Sequence, residues 1–195
     1  MRLRFLLLLG LVILFTCETQ SKQLPILSYT VNDQGVKSYY QITYSNFINQ
    51  HNEEFKTPKD KVYIANFFFT RCPSICPPMR YQLTNLADSF SSENFMIISH
   101  TIDPNYDTPA VLKTYAESTG IDYKKWQFLN GSEENTKAQA NQFKTNFRPN
   151  EDGTDFYHSS YVALVDKENR IRGFYDLLVP REVVLLKKDI QILLD

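Results

Sequence analysis

Two cysteines separated by three residues are the most informative feature of this sequence. Cys72 and Cys76 lie in the segment TRCPSICPPM (70–79), which leads into a stretch with helical periodicity. The amino end of a helix carries unpaired backbone N–H groups and the positive end of the helix dipole, and both lower the pKa of a nearby thiol. Thiolate is the form of cysteine that attacks electrophiles and binds metals. The spacing therefore predicts a redox or metal-binding pair, with a structural disulfide or two inert buried thiols as alternatives.

A strand and a helix must hold this pair between them. Residues 62–69 (VYIANFFF) are apolar or aromatic except for Asn66, which predicts a strand buried on both faces. Residues 79–90 have apolar side chains at helical spacing, and Pro77 and Pro78 precede them, where helices accept proline. We therefore expect the cysteines in the loop that joins this strand to this helix.

The rest of the chain alternates between strands and helices. We expect strands at 94–102 and 126–129, helices at 108–119, 132–143 and 180–194, a short helix within 44–55, an N-terminal β-hairpin at 27–31 and 36–42, and a C-terminal-side β-hairpin at 161–165 and 170–175. This alternation indicates an α/β fold with a central, mostly parallel β-sheet flanked by helices. The second hairpin would add antiparallel strands at an edge of the sheet.

The first residues of the chain predict export and a lipid anchor. Arg2 and Arg4 precede an apolar run of 11 residues (5–15) that is typical of a signal peptide. Such a run spans only about 16 Å as a helix, whereas a bilayer core needs about 30 Å. Cys17 at its end resembles the cysteine of a bacterial lipobox, with a plain signal peptide as the alternative.

These features divide the chain into three parts. We expect a signal peptide at 1–16, a lipidated tether at 17–24 and one globular domain at 25–195. The domain would lie on the periplasmic or extracytoplasmic face of a membrane, anchored through lipid on Cys17. Export also places the other two cysteines in an oxidising compartment.

Charge and composition exclude several classes of function. The 195 residues include 21 basic and 22 acidic side chains, so no basic excess supports general nucleic-acid binding. Three cysteines are too few for a disulfide scaffold. The sequence contains no nucleotide-binding glycine loop, no HExxH motif and no GxSxG motif.

The segment FFFTRCPSICPPM (67–79) resembles the Sco/SenC family of copper-binding, thioredoxin-like proteins. The resemblance extends from about Leu27 to the C terminus and includes the motifs IDP (102–104), DTP (107–109), WQFLNG (126–131), YHS (157–159) and GFY (173–175). It implies a thioredoxin-like fold and a site for Cu(I) or Cu(II) formed by Cys72, Cys76 and His158. Two thiolates and an imidazole are donors that suit copper.

The same resemblance implies a copper metallochaperone rather than an enzyme. Its acceptor would be the dinuclear copper site of cytochrome c oxidase subunit II, with an upstream copper donor and a thiol reductant as further partners. The first alternative is a membrane-anchored thiol–disulfide oxidoreductase, in which Cys72 attacks, Cys76 resolves the mixed disulfide, and the oxidase cysteines are kept reduced. The second is a thiol peroxidase, because Thr70 and Arg71 could orient a peroxide beside Cys72.

Other polar or sulfur-containing side chains are expected to have structural roles. His51 lies in a polar run and should be solvated, whereas His100 should be a half-buried strand histidine with a hydrogen-bond partner. Met79 is expected to pack in the core rather than bind metal as a soft axial ligand. Asp103 and Asp107 follow a strand and should form caps or turns, with partner contacts or an oxygen for Cu(II) as the alternative.

Overall fold

The computed structural model describes residues 23–90, 93–149, 156–157 and 159–195. Its elements are β1 (Tyr29–Val31), β2 (Lys37–Tyr39), β3 (Ile48–Asn49), β4 (Val62–Phe68), α1 (Cys76–Ser89), β5 (Phe95–Thr101), α2 (Pro109–Glu117), β6 (Trp126–Asn130), α3 (Glu133–Gln142), β7 (Arg148–Pro149), β8 (Phe156–Tyr157), β9 (Tyr161–Val165), β10 (Ile171–Asp176) and α4 (Pro180–Leu194). The predicted signal peptide, Cys17 and His158 lie outside the described residues. Within those residues, no helix has both the length and the apolar character needed to cross a bilayer.

One six-stranded sheet, in the order β10-β9-β4-β5-β6-β3, forms the centre of the molecule. The three central strands β4, β5 and β6 are parallel neighbours. Antiparallel strands flank them, because β9 pairs with β4, β10 with β9, and β3 with β6. The α/β class is confirmed, and the parallel arrangement is confined to the centre of a mixed sheet. A tight hairpin such as β9-β10 can join only antiparallel strands.

Helices cover both faces of this sheet. Successive side chains of a strand point to opposite faces. Phe68 packs against Tyr115 of α2 on one face, whereas Phe67 packs against Phe143 at the end of α3 on the other. All seven residues of β4 are therefore buried, which explains why its sequence shows no polar alternation.

Both predicted hairpins are confirmed, and the helices expected from residues 108 and 132 begin at Pro109 and Glu133. β1 pairs with β2 and β9 pairs with β10, each antiparallel. The hydroxyls of Thr108 and Ser132 accept hydrogen bonds from N–H groups in the first turns of α2 and α3. Helix α1 begins at Cys76, three residues before the predicted start, and includes Pro77 and Pro78 in its first turn. Proline fits there because the first N–H groups of a helix have no helical partner.

The helix expected within residues 44–55 is wrong. This segment contains β3, which pairs with β6, and an isolated bridge between Ile48 and Glu54. Asn46 and Asn52 adopt positive φ angles of 59° and 61°. A right-handed helix cannot continue through such residues, and asparagine tolerates this conformation better than most other residues.

Candidate metal and redox site

The two cysteines lie where the central strand gives way to the first helix. Cys72 is in the loop after β4, and Cys76 is the first residue of α1. Their exposed fractions are only 6% and 5%, yet both line a cleft of about 520 Å³ that opens to solvent. Both cysteines therefore border a cleft that solvent enters, although little of either residue is exposed.

The two thiols differ in acidity because their surroundings differ. Burial acts to raise the pKa of Cys72, but hydrogen bonds from the backbone N–H groups and side chains of Cys76 and Ser74 outweigh it and lower the pKa. The Ser74 Oγ atom lies 3.7 Å from the Cys72 Sγ atom. Burial raises the pKa of Cys76, and the nearby Cys72 sulfur adds to this effect. Cys72 is therefore the readier nucleophile, and Cys76 keeps its proton longer.

A buried carboxylate fixes the loop that carries Cys72. Asp107 is fully buried and accepts a hydrogen bond from the Thr70 N–H at 3.0 Å, another from the Thr70 hydroxyl, and a third from the Thr101 hydroxyl at 2.5 Å. Burial raises the pKa of Asp107, and these hydrogen bonds act against that shift. Asp107 therefore has a structural role, but its carboxylate joins the loop after β4 to the end of β5 instead of capping a helix.

The neighbouring arginine is held away from the thiols by a second carboxylate. Arg71 Nε donates to Asp103 Oδ2 at 2.8 Å, and the guanidinium lies 4.7 Å from the ring centre of Tyr106. Thr70 is likewise engaged by Asp107. These contacts disfavour the peroxidase interpretation, which needs both side chains turned towards a peroxide at Cys72.

The histidine of strand β5 lies on the other face of the sheet. His100 is 0% exposed, so the half-buried expectation is wrong, but its Nδ1 has the expected partner, the Asn66 carbonyl, at 3.1 Å. Its ring stacks on Phe67 at 4.7 Å between ring centres. Cys76 instead shares a small cavity with Phe68, whose side chain points to the opposite face. His100 is therefore not a ligand of the cysteine site.

Two other predicted structural roles are confirmed. His51 is exposed, and its ring meets the edge of Tyr123 at 4.7 Å between ring centres. Met79 is 1% exposed and belongs to the hydrophobic core. Neither side chain lines the cysteine cleft.

Arg80 and Tyr115 also line the cleft, although neither was predicted as a site residue. Arg80 lies one turn after Cys76 on α1, and its guanidinium lies 4.9 Å from the ring centre of Tyr115. Burial raises the pKa of Tyr115 to about 12, and the charge of the Cys76 sulfur adds to this shift. Four-residue spacing on a helix could have pointed to Arg80. The position of Tyr115 depends on how α2 packs, for which the sequence holds no local signal.

The described residues supply two of the three predicted copper ligands, Cys72 and Cys76. Among these residues, no group of three or more His, Cys, Asp or Glu side chains is arranged to hold a metal ion. The strand β8 nevertheless ends one residue before His158, and Phe156 packs on Phe69 at 5.2 Å between ring centres. Phe69 is three residues before Cys72, so β8 approaches the base of the cysteine loop.

Comparisons with solved structures show that the fold is thioredoxin-like. A SCO1/SenC family lipoprotein from Bacillus anthracis has a TM-score of 0.73 at 24% identity, over 87% of this chain and 98% of that chain. BsSco, described as a member of the Sco family of cytochrome c oxidase assembly proteins with a disulfide switch, has a TM-score of 0.69 at 27% identity, over 88% and 97%. Copper-bound ScoI from Bradyrhizobium japonicum has a TM-score of 0.64 at 20% identity, over 79% and 98%.

Sequence comparison extends the likeness to nearly the whole domain. The chain is 30% identical over 173 residues to the SCO1 protein homolog of Bacillus subtilis, which covers 86% of this chain and 84% of that protein. The family model described as SCO1/SenC matches residues 34–191, which include both cysteines of the cleft and His158. On this evidence the chain belongs to the SCO1/SenC family.

Proposed function

We propose that this protein binds one copper ion through Cys72, Cys76 and His158 and delivers it to a copper site of cytochrome c oxidase. The observation that carries the proposal is the pair of thiols at one solvent-open cleft. The packing of Phe156 on Phe69 supports His158 as the third ligand. Phe156 is two residues before His158, and Phe69 is three residues before Cys72.

The donor set fits copper as cargo. Thiolates are soft ligands that favour Cu(I), and an imidazole suits either copper oxidation state. The lowered pKa of Cys72 supplies the first thiolate, and metal binding displaces the proton that Cys76 retains. Two sulfurs and one nitrogen leave Cu(I) open to attack by further thiolates, as a carrier requires.

Relatives support both the cargo and the destination. ScoI of Bradyrhizobium japonicum has been solved with copper bound, and BsSco belongs to a family of cytochrome c oxidase assembly proteins. By this analogy the acceptor is the dinuclear copper site of subunit II. Its cysteines would displace Cys72 and Cys76 in turn through the cleft, while an upstream donor and a thiol reductant restore the carrier.

Copper loading of the reduced protein under anaerobic conditions tests the ligand set. We expect one copper per chain, and strong sulfur-to-copper charge-transfer absorption after loading with Cu(II). Cys72→Ser and Cys76→Ser should abolish that band, and His158→Ala should weaken binding and shift the spectrum. His51→Ala is the matched control, because it removes an exposed histidine outside the cleft. An unchanged affinity and spectrum in His158→Ala would show that His158 is not a ligand.

The pKa difference between the two thiols favours a second candidate function, thiol–disulfide exchange. Cys72 has the lowered pKa of an attacking thiol, and Cys76 has the raised pKa of a buried resolving partner. In this role the protein would reduce the oxidase cysteines before copper arrives. Exchange with a model disulfide should be unchanged in His158→Ala, whereas copper binding should be weaker with a shifted spectrum, so this one variant separates the two functions.

We also propose that lipid on Cys17 anchors the protein outside the cytoplasm. The first described residues are tied to the edge strand β10. Arg172 donates to the carbonyls of Leu24 and Pro25 and pairs with Asp166 at 2.7 Å. The Leu27 N–H adds a hydrogen bond of 2.7 Å to a β10 carbonyl. The tether would therefore leave the domain from a defined point.

That point lies at the end of the sheet remote from the cysteines. Val165, which precedes the Asp166 turn, pairs with Tyr63 near the start of β4, whereas Cys72 follows the other end of that strand. Seven residues of strand separate the two ends by about 20 Å. A membrane anchored at the tether would leave the cleft facing outward, towards a partner.

Cell fractionation tests the anchor. Cys17→Ser should release the protein from membranes, because one thioether-linked lipid group would be lost. Cys72→Ser is the matched control and should remain in the membrane fraction. Retention of Cys17→Ser in membranes, with its apolar run still attached, would show an uncleaved anchor instead.

A further inference from the structure

The cleft beside the cysteines contains one cation whose charge is not balanced by a carboxylate. Among the described residues that line it, Arg80 is the only Lys, Arg, Asp or Glu. The Arg80 Nη2 atom donates to the Ser118 carbonyl at 2.5 Å, and the guanidinium lies over the ring of Tyr115. Within the described chain no carboxylate lies within ion-pair distance of Arg80.

The two arginines near the site differ in whether a carboxylate neutralises their charge. Arg71 is neutralised by Asp103, with 2.8 Å between the two groups. Arg80 has five N–H donors in a planar fork, and its contacts with Ser118 and Tyr115 engage only part of that fork. The Ser118 carbonyl also fixes the guanidinium in place, so little side-chain entropy remains to be lost when an anion binds.

We propose that Arg80 forms a carboxylate-binding subsite, so that the cleft accepts a thiol-bearing segment with an acidic group close to its cysteine. This inference rests on the proposed exchange chemistry of Cys72 and names the chemistry of its partner. The cleft volume of about 520 Å³ lies in the range of sites that enclose small ligands, so it admits a short segment and not a folded surface. Tyr81, 66% exposed, and Pro77 form part of its rim.

The position of Arg80 would bring a bound segment close to the two thiols. Arg80 lies one helical turn beyond Cys76, and both cysteines share its cleft. A carboxylate held by the guanidinium would therefore place a nearby sulfur of the same segment close to the Cys72 and Cys76 sulfurs. The positive charge would also raise the local concentration of anionic partners over cationic ones.

Alkylation of the reduced, copper-free protein tests the subsite directly. The Cys72 thiolate attacks the methylene carbon of iodoacetate or iodoacetamide, a C–S bond forms, and iodide leaves. The two reagents differ by a carboxylate against a neutral amide. The ratio of the two rate constants therefore measures the effect of the subsite. A change in the thiolate fraction of Cys72 alters both rate constants by the same factor and leaves the ratio unchanged.

We expect Arg80→Gln to lower the iodoacetate-to-iodoacetamide ratio about five- to tenfold, as the loss of one unit charge near the thiol predicts. Arg80→Lys should retain part of the preference, and 1 M salt should reduce it in the wild type. Arg181→Gln, which removes an exposed arginine of α4, is the matched control and should leave the ratio unchanged. Equal ratios in wild type and Arg80→Gln would overturn the proposal, as would a failure of both reagents to react with native protein.

A peptide pair then tests the proposed occupant. The Cys72–Cys76 disulfide, formed beforehand with an added oxidant, is reduced by the peptides Gly-Glu-Cys-Gly or Gly-Lys-Cys-Gly. One peptide thiolate attacks Cys72, the protein S–S bond breaks, and the electron pair leaves on Cys76, which takes a proton. A second peptide thiolate releases the peptide disulfide and reduced Cys72.

The acidic peptide should react faster than the basic one, and Arg80→Gln should remove the difference. Equal rates for both peptides in the wild type would overturn the acidic occupant. The alkylation ratio needs neither copper nor a disulfide. Failure of copper binding or of exchange is therefore distinguishable from failure of the Arg80 subsite.

Discussion

Each face of the central sheet holds a side chain that could bind a soft metal. The two side chains differ in their access to solvent and in the hydrogen-bond donors around them. On the face of α1 and α2, the sulfur of Cys72 lies at an open cleft, where backbone and hydroxyl donors stabilise its anion. On the face of α3, His100 is sealed among aromatic rings with an unpartnered Nε2 atom. Both residue types can bind metals. Cys72 differs from His100 because its cleft is open to solvent and because its reactive, deprotonated form is stabilised.

The largest expected effect concerns the two thiols of the open face. Cys76→Ser should still be alkylated readily at pH 7, because Cys72 keeps its lowered pKa through the Ser74 and residue-76 backbone donors. Cys72→Ser should react on the order of 100-fold more slowly, because burial keeps Cys76 protonated. Stopped-flow alkylation with iodoacetamide measures both rates. Similar rates would mean that the two thiols share one environment.

The second prediction concerns Asp107, whose carboxylate holds the Cys72 loop in place on the open face. Asp107→Ala leaves the Thr70 and Thr101 donors without their shared acceptor, which should lower the free energy of unfolding by about 3 kcal/mol. Copper affinity should fall as well, since the Cys72 loop loses its anchor. Urea denaturation followed by circular dichroism measures the stability. Asp88→Ala, at an exposed position of α1, is the control and should change stability little.

The third prediction concerns the sealed face and its response to acid. Burial lowers the pKa of His100 from 6.5 to about 4, so the fold favours the neutral ring. This contribution is complete above pH 6.5 and is lost as the pH falls towards 4, because the unfolded chain binds the proton first. The loss should amount to about 3 kcal/mol.

His100→Phe should flatten this pH dependence while leaving copper binding unchanged. His51→Asn, an exposed change, should keep the wild-type slope. Urea midpoints measured between pH 4 and 7 give the comparison. A steep acid dependence that persists in His100→Phe would assign the effect to other groups, and altered copper uptake would show that the two faces are coupled.

The smallest expected effect concerns Arg71. Its ion pair with Asp103 joins a 42% exposed side chain to a 10% exposed one, so Arg71→Gln should cost less than about 1 kcal/mol. Reactivity of Cys72 towards hydrogen peroxide should stay unchanged, because the guanidinium points to Asp103 and Tyr106. A loss of peroxide turnover in this variant would restore the peroxidase interpretation.

Features that depend on neighbouring residues were predictable. The cysteine spacing and the prolines at the helix start act within one helical turn, and the structure contains them. The helix expected at 44–55 failed because Asn46 and Asn52 adopt left-handed conformations, which periodicity does not detect. Contacts across long separations, such as Thr70 with Asp107, had no local signal.

By itself, the sequence determined the chemistry that is present: two thiols at the entrance to a helix, the alternation of the main strands and helices, and membership of a copper-binding family. Only the tertiary structure decided which groups share a site. Packing of α2 brings Tyr115 over the cleft beside Arg80, and the pleat of the sheet turns His100 to the opposite face. Residue types are local properties, whereas access, burial and charge balance arise from segments that meet only when the chain folds.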